Sequence, residues 1–118
     1  MFYVLIVDDE TLIRDFLARW LQAWGYTVRT AESADAAVAQ MTEEPARIML
    51  CDVTMPGRDG LSLLAEVRDR WPSTAVIMAT AVQDVRTVTQ SRKDGAVGYV
   101  TKPFGRELLR QALQRAEE

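Results

Sequence analysis

The sequence contains no histidine and a single cysteine, Cys51. Without histidine the chain cannot form a Ser-His-Asp triad, a Cys-His catalytic pair or a histidine-ligated zinc site, and it cannot carry a phosphohistidine. One cysteine excludes an internal disulfide bond and a cysteine-based metal cluster. We expect Cys51 to be a small buried hydrophobic residue, because it lies in an apolar segment.

Long hydrophobic runs and an excess of basic residues are also absent. No apolar run approaches the roughly 20 residues that a membrane span needs. The apolar start from Phe2 to Val7 has no basic residue ahead of it and no cleavage-type ending. Lys and Arg number 14 against 17 Asp and Glu, and the net charge of −3 argues against direct nucleic-acid binding. We therefore expect a cytoplasmic protein with no membrane contact.

The composition is that of a soluble globular protein. The 118 residues, 48% hydrophobic and 26% charged, suit one domain over residues 1–118 with an unaided core.

Short apolar, β-branched runs alternate with segments of helical periodicity. The predicted strands are Tyr3–Val7, Thr27–Thr30, Arg47–Cys51, Ala75–Ala79 and Gly98–Thr101. Three of these runs are almost continuously apolar, as expected of strands buried on both faces of a parallel sheet. The alternation predicts an α/β fold, a doubly wound (βα)5 arrangement with a five-stranded parallel sheet, as in the flavodoxin-like three-layer sandwich.

The predicted helices have recognisable starts and stops. The first runs from Thr11 to Trp24, and the second is capped by Ser33 and ended by Pro45. The third ends before Pro72, the fourth spans Asp84–Lys93 with a thin apolar stripe, and the last begins near Arg106. The first and last helices each carry a stripe that we expect to face the core: Leu12, Ile13, Phe16, Leu17, Trp20, Leu21 and Trp24, and Leu108, Leu109, Ala112, Leu113 and Ala116.

Polar residues follow the predicted strands at their carboxyl ends, where ligands bind in such sheets. They are Asp8, Asp9 and Glu10 after the first strand, Asp52 after the third, Thr80 after the fourth and Lys102 after the fifth. Taken singly, each has an ordinary explanation as a helix cap, a turn residue, a loop hydroxyl or a solvated charge. Their coincidence at one edge suits metal-assisted phosphoryl transfer to a carboxylate, because clustered carboxylates favour a hard divalent cation and an Asp can be the nucleophile.

Four motifs together resemble the receiver domain of bacterial two-component response regulators, including the chemotaxis regulators. They are VDDE at Val7–Glu10, CDVTMPGRDG at Cys51–Gly60, ATA around Thr80 and YVTKPF at Tyr99–Phe104. The match spans the chain in the right order. It implies strand order 2-1-3-4-5 and phosphorylation of an aspartate by a sensor histidine kinase or a phosphotransfer protein.

The resemblance also implies a role for each site residue. Asp52 would be the phosphoacceptor, and Asp9 and Asp52 would bind Mg²⁺ (with Mn²⁺ as a possible substitute) together with the backbone carbonyl of Thr54. Asp8 would act on the metal through water, and Lys102 would pair with Asp52 and the incoming phosphoryl group.

Further implications concern switching and turnover. Thr80 and Tyr99 would be a switch pair acting on the face formed by the fourth helix, fifth strand and fifth helix, which would contact an output domain or effector, and a homodimer is possible. Lys102–Pro103 is a candidate cis peptide bond. Such a module is not a classical enzyme, although it catalyses its own phosphorylation and slow dephosphorylation. Thr54 and Val82 would flank the attacking water, to which Val82 offers no hydrogen bond.

Three other functions fit the sequence less well. A pseudo-receiver that only binds partners does not need the intact set of Asp9, Asp52, Thr80 and Lys102. A flavodoxin-like FMN carrier needs a phosphate loop rich in Ser, Thr and Gly, whereas the acidic loop after the first strand would repel a phosphate that lacks a metal. A Mg²⁺ phosphatase with its nucleophile after the first strand needs Asp-x-Asp spacing, and Lys102 would then have no role.

Overall fold

A computed structural model describes residues 2–81, 85–102 and 105–118 of the chain. Within these ranges strands and helices alternate throughout. The strands are β1 Val4–Val7, β2 Val28–Ala31, β3 Ile48–Cys51, β4 Ala75–Thr80 and β5 Gly98–Thr101. The helices are α1 Thr11–Ala23, α2 Ala34–Glu43, α3 Gly60–Arg70, α4 Val85–Lys93 and α5 Arg106–Glu117.

The strands form one parallel sheet in the order β2-β1-β3-β4-β5, which confirms the predicted topology. The register pairs Val7 with Cys51 and Thr80 with Thr101, so the strands that carry the candidate site end level with one another. Backbone pairing continues past these ends, because the Asp52 N–H donates to the Val7 carbonyl at 3.0 Å and the Lys102 N–H donates to the Thr80 carbonyl at 2.7 Å.

Helices cover both faces of the sheet, which produces the three layers predicted from the sequence. On one face α1 and α5 bury Leu17, Leu21, Leu109 and Leu113 against the sheet. On the other face α2 and α3 pack through residues such as Met41 and Leu64. Strands β1 and β3 are completely buried, as their continuous apolar runs indicated.

Local signals define most element boundaries. Predicted and observed strand ends agree to within one residue. The Ser33 hydroxyl accepts a hydrogen bond from the Ala36 N–H, which confirms the predicted cap of α2. Helix α1 ends at Ala23, one residue before the predicted Trp24, and Gly25 follows with a φ of 94°. The predicted first residue of the fourth helix, Asp84, lies outside the described residues.

The predicted core stripes are wrong at three positions. Leu12, Phe16 and Leu108 have exposed fractions of 83%, 53% and 52%. The sheet contacts a narrower strip of each helix than the apolar pattern covers, and Leu17, Leu21, Leu109 and Leu113 fill that strip. Trp20 and Trp24 are half-buried at the edge of this layer, and Trp71 is half-buried against the opposite one.

The helices built from described residues are all too short or too polar to cross a membrane.

Candidate functional site

Asp8 is the most buried acidic residue of the site and is held on several sides. It directly follows β1 and is 2% exposed. Its Oδ1 accepts the Glu10 N–H at 2.9 Å, and its Oδ2 lies 2.6 Å from the Lys102 Nζ. The Arg14 guanidinium donates to the Asp8 backbone carbonyl at 2.7 Å. These contacts fix the carboxylate so that it points toward the ends of β3 and β5.

Asp52 follows β3 at the centre of the sheet and is 6% exposed. Its Oδ1 accepts the Thr54 N–H at 3.1 Å, and its Oδ2 lies 3.1 Å from the Lys102 Nζ. Thr54 itself is exposed. The side chain is therefore oriented by two donors, one on its own loop and one, Lys102, that directly follows the edge strand β5.

Lys102 bridges the two buried aspartates. Its side chain is 15% exposed, and the Nζ forms ion pairs with both Asp8 and Asp52. Burial disfavours the ammonium ion, but the hydrogen bond to Asp8 and the negative charges of Asp52 and Asp8 outweigh it and raise the pKa of Lys102. The lysine is therefore a fixed positive charge at neutral pH.

Three carboxylates lie close enough to share a cation. One oxygen from each of Asp8, Glu10 and Asp52 lies within 4.8 Å of the others. Lys102 supplies one positive charge against three negative charges, which leaves an excess that a hard, oxygen-binding cation can neutralise. The donor set therefore fits a divalent metal ion.

Asp9 and Glu10 are adjacent in sequence but lie differently with respect to the two buried aspartates. Asp9 is exposed and does not belong to the group of oxygens just described. Glu10, for which the family resemblance implies no specific role, does belong to it. The sequence shows that Glu10 belongs to the acidic run after β1. It does not show where each side chain of that run points, because this depends on how the backbone turns into α1.

The remaining predicted residues lie at or near the same edge. Thr80 is buried at the carboxyl end of β4, and Tyr99 is half-buried on β5. The predicted cis peptide bond involves Pro103, which lies outside the described residues, as does Val82. The structure thus brings Asp8, Asp52 and Lys102 into direct contact and places Thr80 at the end of the strand between β3 and β5.

Gly60 closes the loop that follows Asp52. Its N–H donates to the Val53 carbonyl at 2.8 Å, and a Cβ at this position would lie 2.0 Å from the Asp52 carbonyl oxygen. No side chain fits there unless the backbone of the site moves. The loop geometry therefore requires glycine.

Gly60→Ala is expected to destabilise the fold by about 1–3 kcal/mol, the usual range for overpacking, and to displace Asp52. Urea unfolding measures the stability. Gly105→Ala is the matched control, because a Cβ there meets no atom within 4 Å. Equal stability of the two variants would contradict this account of the loop.

A doubly wound parallel sheet with two buried aspartates bridged by a lysine at its carboxyl edge is the architecture of a receiver domain. The chain belongs to the response regulator receiver domain family, whose model matches residues 4–114. This confirms the family that the sequence motifs indicated.

Individual relatives show the same relationship. The chain is 34% identical over 113 residues to the transcriptional regulatory protein ZraR of Salmonella typhimurium, covering 96% of this chain and 26% of that protein. It is 36% identical to the hydrogenase transcriptional regulatory protein HoxA of Cupriavidus necator, covering 98% and 24%. The chain thus spans about a quarter of the length of these relatives.

Solved structures extend the comparison to the fold. Chemotaxis protein CheY4 of Vibrio cholerae superimposes with a TM-score of 0.91 at 32% identity, covering 98% of each chain. The receiver domain of NtrX from Brucella abortus gives a TM-score of 0.91 at 34% identity and covers 96% of each chain.

Proposed function

We propose that this receiver domain accepts a phosphoryl group on Asp52 in a Mg²⁺-dependent reaction and relays a signal to an output domain or effector in the cytoplasm. The observation that carries the proposal is the Lys102 ammonium bridging Asp8 and Asp52 beside Glu10. Membership of the family supports a sensor histidine kinase or a phosphotransfer protein as the donor.

The proposed transfer uses Asp52 as the nucleophile. A carboxylate oxygen of Asp52 attacks the phosphorus of a phosphohistidine on the donor, so that a P–O bond forms and the P–N bond breaks. The electron pair of the broken bond stays on the donor imidazole. Lys102 and the Thr54 N–H hold the carboxylate in place, and the Lys102 charge offsets that of the incoming phosphoryl oxygens.

Mg²⁺ would supply the rest of the positive charge that the crowded anionic site requires. Family membership supports direct binding by Asp9, Asp52 and the Thr54 carbonyl, with Asp8 acting through water. The oxygens of Asp8, Glu10 and Asp52 offer a second arrangement of donors at the same edge.

We predict that Asp9→Asn lowers Mg²⁺ affinity by about tenfold or more, because it removes a ligand charge, whereas Glu10→Gln lowers it less. Isothermal titration calorimetry measures both. Asp35→Asn, a change at an exposed position of α2, is the control and should have no effect. A larger loss in Glu10→Gln than in Asp9→Asn would assign the metal to the Asp8, Glu10 and Asp52 group and overturn the role of Asp9.

The proposed output surface is formed by α4, β5 and α5. Phosphorylation would draw the Thr80 hydroxyl toward the new acceptor oxygens and allow Tyr99 to turn inward. Helix α4 suits a movable element, because Ser91 is its one fully buried residue among those described and the helix includes the poor helix formers Thr87, Val88 and Thr89.

Several interactions must contribute to the free energy that drives the switch. Moving a two-state equilibrium from about 1% to 99% requires roughly 5.5 kcal/mol of differential stabilisation. One hydrogen bond to a charged group supplies about 1.5–3 kcal/mol. Thr80 alone is therefore insufficient, and Lys102, Tyr99 and the metal would share the coupling.

Hydrogen exchange should detect this switch. With a fluoroberyllate phosphate mimic and Mg²⁺, we expect protection to change most between Val85 and Lys102, because the proposed movements lie there. Asp52→Asn under the same conditions is the control and should show no change. Changes confined to α1 and α2 would place the output surface elsewhere.

Incubation with acetyl phosphate and Mg²⁺ followed by intact mass measurement tests the function as a whole. The expected result is one phosphoryl adduct that depends on Mg²⁺ and is labile to hydroxylamine. A chain that gains no adduct from acetyl phosphate or from a phosphorylated kinase would be a partner-binding module without phosphotransfer.

A further inference from the structure

A row of large apolar side chains runs along one side of α1 and ends at Trp24, the residue that follows the helix. We call it the α1 stripe; its members, four residues apart, are Leu12, Phe16, Trp20 and Trp24. The Phe16 and Trp20 ring centroids are 4.6 Å apart, and those of Trp20 and Trp24 are 6.1 Å apart. Leu12 is 83% and Phe16 53% exposed, whereas Trp20 and Trp24 are half-buried, so the row is an apolar strip exposed mainly at its beginning, of the kind that marks an interaction site.

The charges around the α1 stripe are divided between its two ends. The beginning of the stripe is acidic, with Asp9 and Glu10 just ahead of α1 and Asp15 on its flank, all exposed. Its end is basic. The Arg106 and Arg110 guanidinium groups lie 6.0 Å and 5.8 Å from the Trp20 and Trp24 ring centroids. Arg19, which is exposed, lies on the same flank as Asp15 one turn further along.

We propose that the α1 stripe is a self-association surface on which a second copy of this chain packs antiparallel across a twofold axis. A twofold interface brings the same patch of both copies together. In the antiparallel arrangement the acidic end of each stripe meets the basic end of the other, whereas a parallel arrangement would oppose like charges. This inference does not rest on phosphorylation of Asp52.

The side-chain spacing suits that arrangement. Residues four apart form ridges that interdigitate with the same ridges of another helix, the commonest class of helix packing. With the twofold axis midway along the stripe, Phe16 opposes Trp20 of the other copy and Leu12 opposes Trp24. Next to Trp24 a cleft of about 510 Å³, lined by Gly105, Arg106, Glu107 and Arg110, gives the incoming Leu12 a place to pack.

The flanking charges add two symmetric ion pairs. Asp15 and Arg19 lie one turn apart near the middle of α1, so an antiparallel copy places each Asp15 beside the other copy's Arg19. The two residues are also four apart within one helix, so exchanging them keeps an opposite-charge pair inside the helix, in the weaker base-before-acid order. Their exchange therefore reports on the contact between copies.

The association should be weak and concentration-dependent. Helix α1 has 13 residues and is about 20 Å long, so the interface falls below the roughly 1,200 Å² of standard stable complexes. We expect a dissociation constant of roughly 10–100 µM.

Sedimentation equilibrium of the chain between about 10 µM and 1 mM tests the proposal. The chain should shift from monomer to dimer, and Phe16→Glu or Leu12→Glu should weaken the dimer by about tenfold or more, because each places a charge in the apolar contact. Leu108→Glu is the matched control, since Leu108 is 52% exposed, against 53% for Phe16, and lies outside the stripe. It should leave the dimer unchanged. Far-UV circular dichroism checks that each variant is folded.

Charge exchange tests the antiparallel orientation. Asp15→Arg and Arg19→Asp should each weaken the dimer, and the double variant should restore it. Absence of rescue would overturn the antiparallel arrangement. A chain that stays monomeric at every concentration, or a dimer abolished by Leu108→Glu but not by Phe16→Glu, would overturn the proposal. If the chain is monomeric and Phe16→Glu reduces only phosphotransfer from a kinase, the α1 stripe is a contact for the kinase. That result would also overturn the proposal.

Discussion

Asp52→Asn is expected to abolish phosphorylation completely. The amide of asparagine is a poor nucleophile, yet it has nearly the shape of the carboxylate and keeps an oxygen for the Thr54 N–H. The fold should therefore survive while the chemistry is lost. Intact mass measurement after incubation with acetyl phosphate and Mg²⁺ should show the adduct on the natural chain and none on the variant.

Asp69→Asn supplies the control for this experiment. It makes the same chemical change at an exposed position near the end of α3, away from the residues that directly follow the strands. This variant should be phosphorylated to the same extent as the natural chain. The adduct on the natural chain should also be removed by hydroxylamine, as an acyl phosphate is. An Asp52→Asn variant modified to full stoichiometry, for example on Asp8, would contradict the assignment of the acceptor.

The sheet and the edge that carries the site could be predicted from sequence because both depend on short-range patterns. A run such as Ile48–Cys51 is apolar at every position, and in this fold such a run fits a strand covered on both faces. Once strands are parallel, whatever follows them meets at one edge. That rule placed Asp8, Asp52, Thr80 and Lys102 together without any knowledge of their contacts.

Two kinds of feature could not be predicted in the same way: how wide a strip of a helix the sheet covers, and where a side chain near a turn points. The periodicity of α1 treats Phe16 and Leu17 alike, but the sheet covers Leu17 and leaves Phe16 exposed. Similarly, adjacent carboxylates are equivalent in sequence, whereas the turn into α1 brings Glu10 to Asp8 and Asp52 and leaves Asp9 outside this group. Lys102 was expected beside Asp52, but its shorter contact is to Asp8.

Lys102→Ala is expected to strengthen Mg²⁺ binding and to impair phosphorylation, because Lys102 lies between two aspartates. Removing the ammonium leaves two buried carboxylates without their positive partner, so Mg²⁺ should bind more tightly. The phosphoryl oxygens lose the same positive charge, so phosphorylation should be impaired. Calorimetry and intact mass measurement follow the two quantities separately.

The same substitution should change stability in a metal-dependent way. Breaking a buried ion pair costs about 3–5 kcal/mol when the remaining charge is uncompensated, and the partial exposure of Lys102 places the expected loss at the lower end, about 3 kcal/mol. Mg²⁺ binds the folded chain and should therefore recover part of this loss as its concentration rises. Urea unfolding with and without Mg²⁺ measures both effects.

Lys93→Ala is the appropriate control, because Lys93 and Lys102 are the two lysines of the chain and Lys93 is exposed at the end of α4. It changes the net charge by the same amount but removes no contact with Asp8 or Asp52, so neither Mg²⁺ affinity nor stability should change. If Lys102→Ala behaves like Lys93→Ala in all three measurements, the lysine does not balance the charge of the two aspartates. A loss of Mg²⁺ affinity in Lys102→Ala would likewise contradict the electrostatic account, since removing a nearby positive charge can only favour a cation when the ligands stay in place.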